Sequence, residues 1–284
     1  MNAKILLATA TLAFTTAAYA ADSHFERTLT VSSSPNVSVA TGSGYIRLKP
    51  GNDNQVHIAG HVHSSSGWMS GDAESRVQQI ANNPPISQNG NEITIGQRHG
   101  DNDLFRNISI DYDITLPRAS NIAATTGSGD MTIDNVGATL KAQTGSGSVR
   151  ANGIQGTSTL GSGSGDVELH LAGPGDVRAE TGSGSVRLYG VNGALKASTG
   201  SGDIQVNGNP ATDWKLSTGS GSINMDLGSG AKFNLVADTG SGSVNVNQPI
   251  SMQGSLNRHH ISGTVNGGGP TIRANTGSGD ISIR

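Results

Sequence analysis

One tetrapeptide, Gly-Ser-Gly followed by Asp or Ser, recurs along this chain at nearly constant spacing. Successive copies are 18, 18, 19, 18, 19, 21 and 37 residues apart, and they begin at Gly127, Gly145, Gly163, Gly182, Gly200, Gly219, Gly240 and Gly277. An earlier copy begins at Gly42, and residues 261–265 fit a degenerate copy inside the last, double-length gap. A repeat that cannot bury its apolar face alone must stack on its neighbours, so this period predicts a solenoid.

Apolar and polar residues alternate on both sides of each tetrapeptide. Leu140, Ala142 and Thr144 precede one copy at every second position, and Val186 and Leu188 follow another. A period of two is typical of strands with one buried face. The sequence therefore predicts an all-β fold: a single-stranded, right-handed β-solenoid, β-helix-like, with two short strands and a Gly-Ser-Gly corner in each coil.

The glycines of the corners indicate a structural constraint. The chain has 41 glycines, and each costs about 0.5–1 kcal/mol in a regular element relative to alanine. We expect that cost to persist only where coils approach closely or the backbone needs a positive φ. The corners are therefore predicted to serve folding.

The residue after each Gly-Ser-Gly alternates between aspartate and serine. The series reads Asp130, Ser148, Asp166, Ser185, Asp203 and Ser222. If one repeat makes one turn, equivalent positions stack about 4.8 Å apart, and an intervening serine separates the carboxylates and donates its hydroxyl to them. One turn per two repeats is the alternative, and the sequence leaves both open.

The first twenty residues have the pattern of a secretory signal peptide. Lys4 precedes the apolar run 5–14, and Ala18-Tyr19-Ala20 forms an A-x-A cleavage site. No later stretch reaches 18 apolar residues, so no transmembrane segment is expected. We expect a protein exported to the periplasm, or to the cell surface or medium.

The rest of the chain is predicted to form a β-rich N-terminal cap, 21–122, continuous with solenoid repeats over 123–284. Residues 72–81 match one short amphipathic helix in the cap, which Pro84 and Pro85 cannot continue. The chain stops in a strand at Arg284 with no evident cap. An unpaired last rung would allow self-association through the C-terminal rung, and blunting of that edge by Arg284 is the alternative.

Composition excludes several classes of function. The chain has 18 Lys+Arg against 21 Asp+Glu, whereas nucleic-acid binding favours a basic face, and it has no cysteine for disulfides or thiolate chemistry. Outward charges are sparse, with Asp111 and Asp113 the one carboxylate pair on a predicted strand. We therefore expect no enzyme activity and no cofactor.

Two features together resemble a known family. Ile110 to Pro117 (IDYDITLP) and the serial Thr-Gly-Ser-Gly-Asp/Ser units from Thr126 onward are similar to the bacterial "putative adhesin" family of exported β-strand-repeat proteins, described by a domain of unknown function. The resemblance covers residues 25–284. It implies a β-helix-like fold and adhesion at the envelope or surface, with no catalytic residues to carry over.

Three histidines form a candidate metal site. His57, His61 and His63 fall on one face of a predicted strand, a spacing that suits Zn²⁺ or Cu²⁺, with Asp53 or Asp72 as a further ligand. A solvated polar face is the alternative.

Two aromatic residues in polar loops are candidates for partner contact. Trp68 and Phe105 could bind a partner, or pack locally under the cap. The sequence predicts a non-catalytic exported adhesin or envelope scaffold that binds a protein or glycan. The alternative is a periplasmic metal- or glycan-binding module using residues 57–68.

Overall fold

The computed structural model describes residues 22–64, 71–96, 103–252 and 257–284, which form 25 strands, one α-helix and one short 3-10 helix. The N-terminal elements are β1 (Asp22–Thr30), β2 (Asn36–Thr41), β3 (Ile46–Pro50), β4 (Gln55–Ser64), α1 (Gly71–Asn82), β5 (Ile86–Asn89), β6 (Glu92–Gly96), the 3-10 helix (Asp103–Phe105) and β7 (Ile108–Leu116). Neither helix has the length or apolar character needed to cross a membrane, within the described residues.

The remaining strands belong to the repeats. They are β8 (Asn121–Thr126), β9 (Met131–Asp134), β10 (Thr139–Thr144), β11 (Val149–Ile154), β12 (Ser158–Ser162), β13 (Val167–Leu171), β14 (Val177–Thr181), β15 (Val186–Val191), β16 (Leu195–Ser201), β17 (Ile204–Gly208), β18 (Trp214–Ser220), β19 (Ile223–Asp226), β20 (Phe233–Ser241), β21 (Val244–Val246), β22 (Ile250–Met252), β23 (His260–Val265), β24 (Thr271–Ser278) and β25 (Ile281–Ile283).

These strands form two long sheets. Sheet A has the order β1-β4-β7-β3-β9-β11-β13-β15-β17-β19-β25-β21, and sheet B has the order β22-β23-β20-β24-β18-β16-β14-β12-β10-β8-β2-β6-β5. Within the repeats every pairing is parallel, and each coil gives one strand to each sheet. The predicted solenoid is confirmed.

The register shows that one repeat makes one turn. Leu140 lies beside Ile122 on one side and beside Ser158 on the other, each 18 residues away along the chain. The alternative of one turn per two repeats is therefore wrong.

The inner faces of both sheets make one continuous core. The predicted inward residues Leu140, Ala142 and Thr144 are all buried, as are Val186 and Leu188. The alternation of the sequence therefore reports correctly which side chains face the interior.

The corners explain both the glycines and the threonine before them. A Cβ on Gly147 would lie 1.9 Å from the carbonyl oxygen of Gly129 in the preceding coil, so a side chain there has no room. The buried hydroxyl of Thr144 donates to that same Gly129 oxygen at 3.0 Å and accepts from the Gly147 N–H at 3.1 Å. The Thr-Gly-Ser-Gly unit thus ties each coil to the one beneath it.

The alternating fourth position forms a ladder between coils. Oδ1 of Asp130 accepts from the backbone N–H of Ser148 at 2.8 Å, and Asp166 and Ser185 repeat the contact at 2.9 Å. The expected donor was the serine hydroxyl. In these two pairs the backbone N–H donates instead, whereas Asp280 Oδ1 accepts from both the N–H and the hydroxyl of Ser243, at 2.8 and 3.0 Å. An aspartate in every second coil therefore links its own corner to the corner of the next coil.

The C-terminal coil is not the end of the stack. β24 lies between β18 and β20, and β25 lies between β19 and β21, all parallel. The predicted unpaired last rung is wrong, and with it the proposed self-association through that rung. The segment 261–265 is not a coil either, because β23 runs antiparallel to β20 and forms a hairpin with β22 at the end of sheet B.

At the other end, the N-terminal region continues the same stack. β2 pairs with β8 and β3 with β9, in the parallel register of the repeats. Antiparallel strands then extend each sheet: β4 and β1 in sheet A, and β5 in sheet B. Helix α1 buries Val77 and Ile80, as its predicted apolar face requires.

Candidate functional site

The outer face of β4 presents the three predicted histidines. Val56, Ile58 and Val62 are fully buried, and the alternating positions between them face outward and are partly exposed. Gly60 interrupts the inward series because the ring of Phe25 fills that space; a Cβ there would lie 2.1 Å from the ring. The period of two in the sequence therefore places His57, His61 and His63 on one face.

Antiparallel neighbours bring further ligand types beside these histidines. His61 lies opposite His24 of β1 on one side and opposite Asp111 of β7 on the other. His63 lies opposite Asp22 of β1. Five side chains from three strands thus meet on the outer face of sheet A, and we call Asp22, His24, His61, His63 and Asp111 the histidine cluster.

Within the histidine cluster, two groups of three ligand atoms converge. Asp111 Oδ2 lies 3.3 Å from His63 Nε2 and 3.6 Å from His61 Nδ1. Asp22 Oδ1 lies 2.7 Å from His61 Nε2 and 3.5 Å from His24 Nδ1. In each group all ligand atoms lie within 4.8 Å of one another. The two nitrogens of His61 therefore face two different carboxylates.

The carboxylate of Asp111 is held in place from behind. Its Oδ1 accepts from the backbone N–H of Tyr45 at 2.9 Å, and its side chain is only 13 % exposed. Tyr45 follows the early copy Gly42-Ser43-Gly44 and occupies the fourth position of that repeat. Asp111 is thus the first carboxylate of the inter-coil ladder, and its second oxygen remains for the histidines.

The other predicted metal ligands lie elsewhere. Nδ1 of His57 is 3.1 Å from the hydroxyl of Thr28, and His57 belongs to neither ligand group among the described residues. Asp72, at the start of α1, is 3.4 Å from Arg76, and Asp53 lies in the exposed turn before β4. Neither of the two joins the histidine cluster.

The predicted partner-contact residues are placed only in part. Phe105 lies in the 3-10 helix, half-buried, and packs against the hydrophobic core. This is the local packing that the sequence left open, and a role in partner binding stays a prediction. Trp68 lies outside the described residues.

A second surface feature emerges on the outer face of sheet B. One register row of successive strands carries mainly cations, and reads Lys141, Thr159, Arg178, Lys196, Lys215 and Arg273. All five of its charged members are exposed. We call Lys141, Arg178, Lys196, Lys215 and Arg273 the cationic row.

One carboxylate partly neutralises the cationic row. Oε1 of Glu180 lies 2.8 Å from Arg178 and 3.3 Å from Lys196. Burial, the largest single effect, raises the pKa of Glu180, but the hydrogen bonds from these two cations outweigh it and leave that pKa lowered. Lys141, Lys215 and Arg273 have no ion pair within the described parts of the chain.

Sequence reasoning missed the contributions of β1, β7 and β24. Asp22, His24 and Asp111 reach the histidines through antiparallel pairing across 37 to 50 positions of sequence, and Arg273 joins Lys215 through the inserted coil. The Asp22-x-His24 alternation was a signal that β1 carries two such residues on one face.

The comparisons with known proteins concern the fold. A family model described as Toastrack DUF4097 matches residues 36–284, which confirms the resemblance inferred from the repeats. No curated protein matches the chain. A solved structure from Bacteroides fragilis named "putative adhesin" is 17% identical, with a TM-score of 0.49 and coverage of 92% of this chain and 97% of that one. One from Clostridium sporogenes named "putative cell adhesion protein" is 14% identical, with a TM-score of 0.29 and coverage of 92% and 99%.

Proposed function

This chain belongs to the Toastrack DUF4097 family, and from that premise we propose that it is an exported, non-catalytic scaffold of the cell envelope or surface. In this role it binds acidic polysaccharide in an adhesin-like manner along sheet B. The observation that carries the proposal is the cationic row. Its five cations occupy equivalent outward positions on five of six successive strands, and Thr159 holds the remaining position.

Stacking like charges costs stability. Neighbouring strands lie about 4.8 Å apart, and two unit charges at that distance repel by about 1 kcal/mol even in water. Lys196 and Lys215 are direct neighbours, as are Lys215 and Arg273. These side chains are exposed, so no packing in the core compensates for their mutual repulsion. An anionic partner bound along the row would offset that repulsion.

The shape of the row favours a linear partner. From Lys141 to Arg273 it crosses six strands, or about 24 Å at the usual strand spacing. A polymer with regularly repeated carboxylates or sulfates can contact several cations at once, and its binding weakens as salt screens the charges. Export favours a polysaccharide over nucleic acid, as does the overall formal charge of −3.

Binding to polygalacturonate, with neutral dextran as the comparison, tests the polysaccharide role. Replacing Lys141 and Lys215 by serine should weaken binding at low salt at least fivefold, because both cations lack an ion pair among the described residues. Replacing Lys49 and Arg150 by serine is the matched control, since it removes the same charge from the outer face of sheet A. Equal losses in the two variants, or no binding by the wild type, would contradict the proposal.

Fractionation of the producing cell tests the location. The protein should leave the cytoplasm with residues 1–20 removed, and protease added to intact cells should degrade it if it lies on the surface. Retention of an unprocessed chain in the cytoplasm would contradict the envelope role, whatever the result of the polysaccharide assay.

A further inference from the structure

We propose that His61 Nδ1, His63 Nε2 and Asp111 Oδ2 bind one divalent transition-metal ion, best matched by Zn²⁺, and that Asp22 is a positioning residue for His61. The inference goes beyond the scaffold role and is independent of it, because the histidine cluster lies on sheet A and the cationic row on sheet B. Either can hold without the other.

The separations of the ligand atoms fit the ion. Ligands at 2.0–2.2 Å around a tetrahedral Zn²⁺ lie about 3.3–3.6 Å from one another. Asp111 Oδ2 is 3.3 Å from His63 Nε2 and 3.6 Å from His61 Nδ1. These two separations match those around a shared ion, and the third, between the two histidine nitrogens, is at most 4.8 Å.

The contact between Asp22 and His61 assigns the proton of the imidazole. At 2.7 Å, His61 Nε2 is within hydrogen-bonding distance of Asp22 Oδ1, and a carboxylate can only accept. In the neutral ring the proton then lies on Nε2, which leaves the Nδ1 lone pair facing Asp111. A carboxylate that fixes the tautomer of a ligating histidine is a recurrent support of metal sites.

Asp111 has a comparable support. The N–H of Tyr45 engages Oδ1, so the side chain cannot rotate freely and Oδ2 remains directed at the two histidines. With Nδ1 of His61 unprotonated, electron-rich atoms face each other across the site, and a cation between them relieves the repulsion.

The ligand set selects the class of ion. Two imidazoles and one carboxylate suit Zn²⁺ and its first-row neighbours, whereas Ca²⁺ and Mg²⁺ prefer oxygen ligands. The side chains of His61 and His63 are 37 % and 32 % exposed, so a fourth position is open to water. His24 packs the edge of its ring on His61, with centroids 4.5 Å apart, and contacts Asp22 rather than the proposed ion.

Calorimetric titration of the purified protein with ZnCl₂ tests the site. Wild type should bind one ion per chain, and His63→Ala and Asp111→Asn should each weaken binding at least tenfold. His57→Ala is the matched control, because His57 lies on the same face of the same strand outside the ligand group, and its affinity should stay within twofold of wild type. Asp22→Asn should weaken binding by about 10–100-fold, as expected for the partner of a ligating histidine.

Two readouts keep folding and binding apart. Circular dichroism should show each variant folded, and Zn²⁺ should raise the Tm of wild type and of His57→Ala but not that of His63→Ala. No Zn²⁺ binding by the wild type would overturn the site. An equal loss in His57→Ala and His63→Ala would overturn the ligand assignment, and unchanged affinity in Asp22→Asn would overturn the role of Asp22.

Discussion

At the scale of single residues, the fold depends on corner glycines at positions where no side chain would fit. Gly147 and its equivalents lie against the backbone of the preceding coil, where a carbonyl oxygen occupies the place of a Cβ. The φ of Gly147 is not positive, so close approach alone requires a glycine there, whereas its equivalents Gly44, Gly221, Gly242 and Gly279 combine close approach with a positive φ. A sequence reveals that a glycine recurs, but the neighbouring coil shows which of the two reasons applies.

Gly147→Ala should therefore be strongly destabilising. Its Cβ would lie 1.9 Å from Gly129 O, and the overlap must be relieved by moving backbone, at a cost of about 2–4 kcal/mol. The free energy of unfolding from urea titration measures the loss.

The control for that substitution lies in the neighbouring coil. A Cβ on Gly161 would have its nearest contact at 3.8 Å, so Gly161→Ala should be neutral or stabilise by up to about 1 kcal/mol. Equal effects of the two substitutions would show that close approach between coils is not what the corner glycines serve.

At the scale of the elements, successive coils are joined by more than the strand ladders. Oδ1 of Asp166 accepts from the N–H of Ser185, and Oδ2 accepts from Arg187 at 3.0 Å. The Ser185 N–H is the main reason that the pKa of Asp166 is lowered, and Arg187 adds to it against the opposing effect of burial. The charged carboxylate therefore stabilises the folded coil pair.

The pH dependence of Asp166→Asn follows from this sign. A carboxyl with a lowered pKa contributes stability above its unfolded pKa, and that contribution disappears as the pH falls through the lower, folded value. At pH 7 Asp166→Asn should lower the Tm by about 1–3 °C, and the gap to wild type should close below about pH 4.

Asp203→Asn is the comparison for that experiment. Asp203 also accepts from the next coil's N–H, at 2.8 Å from Ser222, but it has no arginine partner in the described part of the chain. Thermal melts from pH 2 to pH 7 should show a smaller effect at this position. A gap for Asp166→Asn that does not change with pH would contradict the assigned cause.

The strands and corners were predictable from the sequence, whereas the pairing between strands that are distant in sequence was not. Alternation fixes which face of a strand is buried, so Leu140, Val186 and the outward histidines were placed correctly. Pairing between distant strands leaves no local signal. The antiparallel pairing of β1 and β7 with β4 brings Asp22, His24 and Asp111 to His61. No residue spacing along the chain predicts this pairing.

At the scale of the whole molecule, the order of coils in space differs from their order in sequence. The last coil, β24–β25, lies between the β18–β19 coil and the β20–β21 coil. This insertion places Arg273 beside Lys215, where Val236 would otherwise lie, and so completes the cationic row. The proposed function therefore depends on the coil order.

One feature of the sequence indicates this spatial order of the coils. The aspartate–serine alternation breaks along the chain, where Ser222 is followed by Ser243 and then Asp280. In space Asp280 lies between them, with its Oδ1 2.8 Å from the N–H of Ser243, and the alternation is restored. The ladder thus favours the inserted position, because two serines in succession would leave a corner N–H without its carboxylate.

Disulfide trapping of paired cysteines measures the coil order most directly, because the chain has no cysteine of its own. Asn224 and Ser282 lie side by side on β19 and β25, and Ser282 separates Asn224 from Asn245 on β21. Cysteines at 224 and 282 should form a disulfide, since their Cα atoms are about 4.8 Å apart, whereas cysteines at 224 and 245, about 9.6 Å apart, should not. Cross-linking of the second pair but not the first would show that the coils stack in sequence order and would contradict both the inserted coil and the cationic row.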